Sequence, residues 1–238
     1  MRTHQNEGLK YYDPIMDRQL IALFRNAQLF IVVLLLCCHT VFAQQDWEAR
    51  ADANAQRLIA KNGTGKDLQL KRELLKMRDD DQGIRNMVNA APQAQKPAIT
   101  KEMESTDIRL TAHLKTILAE KGWPTISLVG AEASQAAATI LVHSPDHDWQ
   151  RRMLPLLQKL VEQDEIFGSD IADLTDRILV SEGKPQEFGT QFKQVDGKMV
   201  MLPVKDPKHL EQRRAKYLLP PMPVYRQLIS DMYHLPAE

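Results

Sequence analysis

The chain has 238 residues, 43% apolar and 26% charged, which excludes a disordered or low-complexity protein and suits one ordinary globular domain. Its 31 Lys and Arg offset 31 Asp and Glu. No basic field therefore predicts a nucleic-acid or anionic-membrane partner.

Leu29 to Cys38 is an unbroken run of ten apolar residues, preceded by Arg25 and followed by Val41-Phe42-Ala43 and Gln44-Gln45. An apolar run of about 7–15 residues before a small-x-small motif fits an export signal, whereas a spanning helix needs about 20. The expectation is a signal peptide over 1–43, with Met16 as a possible true start, and no membrane span after its removal. The alternatives are an uncleaved anchor that recruits Leu20–Phe24, or a lipid anchor at Cys37 or Cys38. Both cysteines fall inside this segment, so residues 44–238 contain no thiol for a disulfide, a nucleophile or a zinc site.

Residues 44–65 read as an N-terminal helix over Gln45–Lys61 and a linker that breaks at Asn62-Gly63-Thr64-Gly65. Residues 66–238 read as one domain. Its first helix, Lys66 to about Asn89, carries Leu70, Leu74, Met77, position 81, Ile84 and Val88 in steps of four and three. Position 81 is Asp81, a carboxylate where the stripe calls for a hydrophobe, with Arg85 one turn on. Such a departure marks either a functional site or an i,i+4 surface pair. Gly83, costly in mid-helix, suggests close packing.

After the breaker Ala90–Pro97, a second helix over Ala98–Lys121 ends at Gly122 as a left-handed cap. Trp123-Pro124 interrupts, and Thr125–Val129 reads as extended. Ala131–His143 forms a helix with an Ala-rich side for close packing, and His143 stands at its C-terminal end. Ser144 and Pro145 read as N-cap and first residue of the next helix. Asp146 falls near His143, and histidine with a carboxylate is an acid–base pair or a way to satisfy a half-buried ring. A metal site using His143 with Asp146 or His147 is weaker than this capping reading, so no metal and no cofactor is expected. Gly168-Ser169-Asp170 reads as a further helix cap, with Asp173, Asp176 and Arg177 on that helix's solvated side. Asp196-Gly197 between two extended runs predicts a type I′ hairpin over about 186–204, with Phe192 opposite Met201 and Gln194 opposite Met199. Gly189 in the strand suggests a bulge or close approach. The fold class expected is mainly α, a multi-helix domain with one C-terminal β-hairpin.

Asp81-Gln82…Arg85, Gly122-Trp123-Pro124-Thr125, Leu128-Val129-Gly130, His143…Asp146, Leu174-Thr175-Asp176-Arg177, Gly189-Thr190-Gln191-Phe192 and Asp206-Pro207…Arg213-Arg214 occur in that order. This series resembles an uncharacterised family of bacterial domains of unknown function, over about Glu73–Tyr225. The resemblance implies no reaction. It favours Asp81, Gln82, Arg85, His143, Asp146, Asp176, Arg177 and Gln191 over their neighbours. Relatives carry a Gln-His-Ala-Asp-like run where this chain reads Val142-His143-Ser144-Pro145-Asp146.

No nucleophile elbow, metalloprotease helix or phosphate-binding glycine loop is present. Gly63-Thr64-Gly65-Lys66 lacks the spacing for the last. The expected function is thus an exported domain that binds a polar small molecule or an envelope protein, with Gln82, Asp176, Arg177 and Gln191 as ligand contacts. The alternative is a hydrolase. There His143 and Asp146 form the acid–base pair, with Asp81 as the other candidate partner, and Arg85 or Arg177 stabilises an anion.

Overall fold

The computed structural model describes residues 46–238; the apolar run, the cleavage motif and both cysteines lie outside the described residues. The first helix, α1, runs over 46–62. It is followed by α2 (Leu68–Ala90), α3 (Lys96–Lys121), the single turn α4 (Ile126–Val129), α5 (Ala131–His143), α6 (His147–Glu162) and α7 (Gly168–Ser181). The hairpin β1 (Phe192–Val195) and β2 (Lys198–Met201), a 3-10 turn (Pro207–His209), α8 (Leu210–Lys216) and α9 (Met222–Tyr233) complete it. The expected mainly helical fold with one hairpin is what the chain adopts. Among the described residues no helix is long and apolar enough to cross a membrane.

The centre is α5, which packs on α2, α3, α4 and α7. Its alanines explain this: Ala133, Ala136 and Ala137 are fully buried and let neighbouring helices approach closely. Leu70, Leu74 and Met77 of α2 and Leu110, Leu114 and Ile117 of α3 meet it in one core with Leu157 and Leu174. At about 25 cal/mol per Å² of apolar surface, this burial is the main force that sets the helices in register.

Several local expectations are revised. Thr125–Val129 is not extended: Thr125 caps α4, its Oγ1 accepting from Leu128 N at 3.3 Å, while Ile126 N donates to Glu165 O at 2.9 Å. The N-cap of α6 is Asp146 and not Ser144, because the Asp146 carboxylate reaches Trp149 N at 2.8 Å. Gly122 does end α3, with φ 74° and ψ −168°, outside the left-handed helical well. A side chain at Gly83 would meet nothing within 4 Å, so close packing is not why it is glycine. The linker at Gly65, by contrast, is a packed joint. Lys66 N and Asp67 N both donate to Leu128 O, at 2.7 and 2.8 Å. A Cβ on Gly65 would lie 2.4 Å from the Val129 carbonyl carbon, and one on Gly130 2.5 Å from Thr64 O.

The hairpin keeps its expected register, Phe192 opposite Met201 and Gln194 opposite Met199. Asp196 and Gly197 have φ of 48° and 77°, the two positive values a type I′ turn needs. The paired strands are shorter than 186–204; beyond them Gln186 and Val204 meet in an isolated parallel bridge. Gly189, at φ 68°, sits where a Cβ would be 3.1 Å from Met201 Sδ, the close approach expected. On its other edge β2 is joined by the last residues: Met199 N donates to Pro236 O, Glu238 N to Met199 O and Met201 N to Glu238 O.

Candidate functional site

The departure from the α2 stripe is where the site begins. Asp81 is 1% exposed, although it is a carboxylate. An isolated buried charge is prohibitive, so its partners should be close. His143, at the end of α5, places Nδ1 2.8 Å from Asp81 Oδ1 and 3.0 Å from Oδ2. Arg85 Nη2 donates to Asp81 Oδ1 at 3.2 Å and to Asp107 Oδ1, on α3, at 2.7 Å. Gln82 Nε2 donates to Asp81 Oδ2 at 2.7 Å. Burial opposes ionisation of Asp81, but the hydrogen bond and charge of His143, with Arg85, outweigh it and hold the carboxyl below its usual range. Burial raises Asp107, against the pull of Arg85.

These partners fix the tautomer. An ionised carboxylate can only accept, so the Nδ1 beside Asp81 carries the proton. Arg85 Nε, 3.0 Å from that same nitrogen, then has no lone pair to donate to there and turns to Asp81 Oδ2 at 3.4 Å. The remaining ring nitrogen, Nε2, keeps its lone pair in the neutral ring. No described residue gives it a hydrogen bond, and His143 lines a cavity of about 230 Å³.

The end of α5 is held by a residue the sequence reading passed over. Gln150 of α6 is fully buried, and its Nε2 donates to the carbonyls of Leu141, Val142 and Ser144 at 2.9, 2.9 and 3.1 Å. Leu141 and Val142 are among the C-terminal residues whose carbonyls have no i+4 partner within the helix, and Ser144 follows it; Leu141 O also accepts from Ser144 N at 3.1 Å. One amide thus fixes the turn that carries His143. The signal was available: Gln150, Met153 and Leu157 recur at helical spacing on one face.

Asp146 is not the partner of His143. Its Oδ2 accepts from Lys115 Nζ at 2.6 Å and its Oδ1 caps α6. Lys115 and the Trp149 N–H hold it below the usual carboxylate range. His147 turns to Gln150 Oε1 at 2.8 Å. Among the described residues no three His, Cys, Asp or Glu gather as a metal-binding group.

Asp176, expected on a solvated face, is fully buried. Its carboxylate accepts from the backbone N–H of Glu187, Phe188 and Thr190 at 2.7, 3.0 and 2.9 Å and from Thr190 Oγ1 at 3.0 Å. Burial pushes the group up, and these donors push back. It holds the approach to the hairpin onto α7. Gln186 does similar work, donating to Gln191 O and Leu202 O at 3.1 and 2.8 Å.

The cavity wall facing His143 comes from α7, Thr190, α8 and α9. Asp170 and Asp173 stand one turn apart on α7; Arg214 and Tyr225 line the cavity as well. Gln191 Nε2 donates to Asp173 Oδ1 at 2.6 Å, which links one expected ligand contact to this wall. Asp170 Oδ2 is buried without a hydrogen-bond partner among the described residues. Burial, with the charge of Asp173, pushes Asp170 up to about 8. Burial raises Asp173 as well. Arg177 has a buried Nε without a partner among the described residues; desolvation lowers its pKa, while Asp173 favours its charge.

A larger cavity of about 740 Å³ lies beside α1. On its rim Arg57 Nη2 is paired with Asp164 at 2.8 Å, and no histidine reaches it. The smaller cavity is lined by two residues with an unpaired buried polar atom, Asp170 and Arg214.

A family model described as a family of unknown function, DUF6624, matches residues 67–238. The chain belongs to that family. The DUF6624 region begins at Asp67, the N-cap of α2, so α1 precedes it. It contains the whole His143 cavity. Comparison with curated proteins and with solved structures finds no significant match.

Proposed function

We propose that this DUF6624 domain binds a small polar molecule in the cavity at His143. The observation that carries this is a pair of unsatisfied polar atoms, Asp170 Oδ2 and Arg214 Nη2, on residues that line one concavity. Native interiors leave few such atoms unpaired. A polar ligand would satisfy them.

The Asp81–His143 pair favours a second, more specific reading, in which the bound molecule undergoes proton transfer. A carboxylate that accepts from Nδ1 leaves the lone pair of Nε2 free to take a proton, and the buried Asp81 would stabilise the imidazolium that forms. Asp81 takes the role that the sequence reading gave first to Asp146. Arg85 joins His143 in holding Asp81 ionised and does not line the cavity.

The test is a thermal-shift screen of small polar metabolites, followed by NMR of each hit incubated with the protein. Binding predicts hits that stabilise the wild type. The proton-transfer reading predicts conversion that falls by about 100-fold or more in His143→Gln and Asp81→Asn while binding persists. Hits without conversion would leave a binding domain; the absence of any hit would sink both readings. The apolar run and cleavage motif support export of this domain. N-terminal sequencing of the mature protein should then begin at Gln44, and an intact N-terminus would refute cleavage there.

A further inference from the structure

The cavity lining carries both signs of charge. On α7, Asp170 and Asp173 are adjacent on one face, and neither has a cationic partner within 4 Å among the described residues. Asp173 accepts from Gln191 Nε2, with Thr190 and the charges of His143 and Arg177 also acting on it, and Asp170 Oδ2 accepts none. A pair of acids would not by itself mark a site. The second observation is Arg214, from α8.

Arg214 is 1% exposed, the largest fully buried side chain among the described residues. Two of its donors are used: Nε donates to Pro220 O at 2.8 Å and Nη1 to Phe188 O. The guanidinium lies 4.6 Å from the Tyr225 ring centroid, which fixes its plane. Tyr225 is itself anchored, its hydroxyl donating to Thr190 O at 3.0 Å. The last nitrogen, Nη2, is buried without an acceptor, and the side chain lines the cavity. A buried charged donor left unpaired is costly, and no carboxylate lies within 4 Å of this one.

We infer that the cavity takes a small zwitterion of the amino acid class, its carboxylate on Arg214 and its ammonium on Asp170 and Asp173. A purely anionic ligand would meet two acids; a purely cationic one would leave Arg214 unpaired. A molecule carrying both charges satisfies both and adds no net charge to a buried site. The volume agrees: about 230 Å³ admits a free amino acid with a small side chain and lies below the usual range for drug-sized ligands. An ammonium against Asp170 would also remove the reason its proton is retained. The inference rests on the binding reading above and specifies its ligand.

The experiment is calorimetric titration of the purified full chain with glycine, L-alanine and L-serine, beside ethylamine and propionate, which each carry one of alanine's two charges. At least one amino acid should bind, with ethylamine and propionate weaker by tenfold or more. Asp170→Asn, close in shape, should weaken amino acid binding by tenfold or more while its melting temperature shows that it folds. Arg214→Lys, if folded, should reduce the preference for alanine over ethylamine. Equal binding of propionate or ethylamine would overturn the zwitterion and leave the cavity reading intact. No binding by any of the five at about 10 mM, a level too weak for a site of this kind, would overturn it as well. The cavity reading would then stand or fall by the metabolite screen.

Discussion

Asp176 and Asp170 stand on the same helix, six residues apart, and both are drawn into the protein. Asp176 is met by three backbone N–H groups and a hydroxyl, each from the segment 187–190 that it ties down. Asp170 keeps one buried oxygen with nothing to accept from. The first region is a closed polar knot in which the protein answers its own donors. The second, around His143 and Arg214, is an open one. Buried polarity is common to both, so burial alone does not distinguish a structural carboxylate from a site. The completeness of its partner set does.

That contrast can be broken by mutation, and the largest effect belongs to the closed region. Asp176→Ala strips three backbone N–H groups, two of them buried, of their acceptor and should cost about 3–5 kcal/mol in denaturant unfolding. A loss below about 1 kcal/mol would mean that the knot is not structural. Gly65→Ala should come next, at about 2–4 kcal/mol, because its φ of 95° and the Val129 backbone at 2.4 Å leave no room for a Cβ. Gln150→Ala removes the donor shared by the carbonyls of Leu141, Val142 and Ser144, of which Leu141 O keeps Ser144 N, and should cost about 1–3 kcal/mol by the same measurement.

The open region should respond differently. Asp170 is raised from 3.8 to about 8 in the fold, so the folded protein binds a proton that the unfolded chain releases. Its stabilising contribution is complete below about pH 4 and is lost as pH rises toward 8; Asp173, raised by burial too, adds to the same slope. Asp170→Asn should therefore raise the melting temperature relative to wild type more at pH 9 than at pH 5. A difference independent of pH would show that Asp170 is not the group responsible. The smallest effect is expected for His143→Gln. Asp81 retains Arg85 and Gln82, so stability should change by no more than about 1 kcal/mol. A clear fall in melting temperature would move His143 into the closed class.

Much of this fold could be read from local pattern. Helical periodicity placed α2 and α3, and Asp-Gly fixed the register of β1 against β2. Asp81 stood out because it violates a stripe, a signal carried by one helix alone. Asp176 carried no such signal. Its spacing put it on a polar side, and its donors arrive 11 to 14 residues later in the chain. The pairing of His143 with Asp81 spans 62 residues, so sequence proximity pointed first to Asp146. Arg214 and Tyr225 were visible as residues and not as a wall, since their relation to α7 exists only once the hairpin is docked. The pattern around Gly63-Thr64-Gly65 lacked the spacing of a phosphate loop, and the fold uses it as a joint.

The terminal pairing on β2 has a consequence for self-association. A two-stranded hairpin has two open edges, each a row of N–H and C=O groups on which another chain can stack. Pro236 and Glu238 occupy the partners of Met199 and Met201 on one of them. Those last residues act as a guard rail for the sheet. A fusion or truncation that lifts them would expose a template for strand addition, with aggregation as the outcome and the helical core untouched.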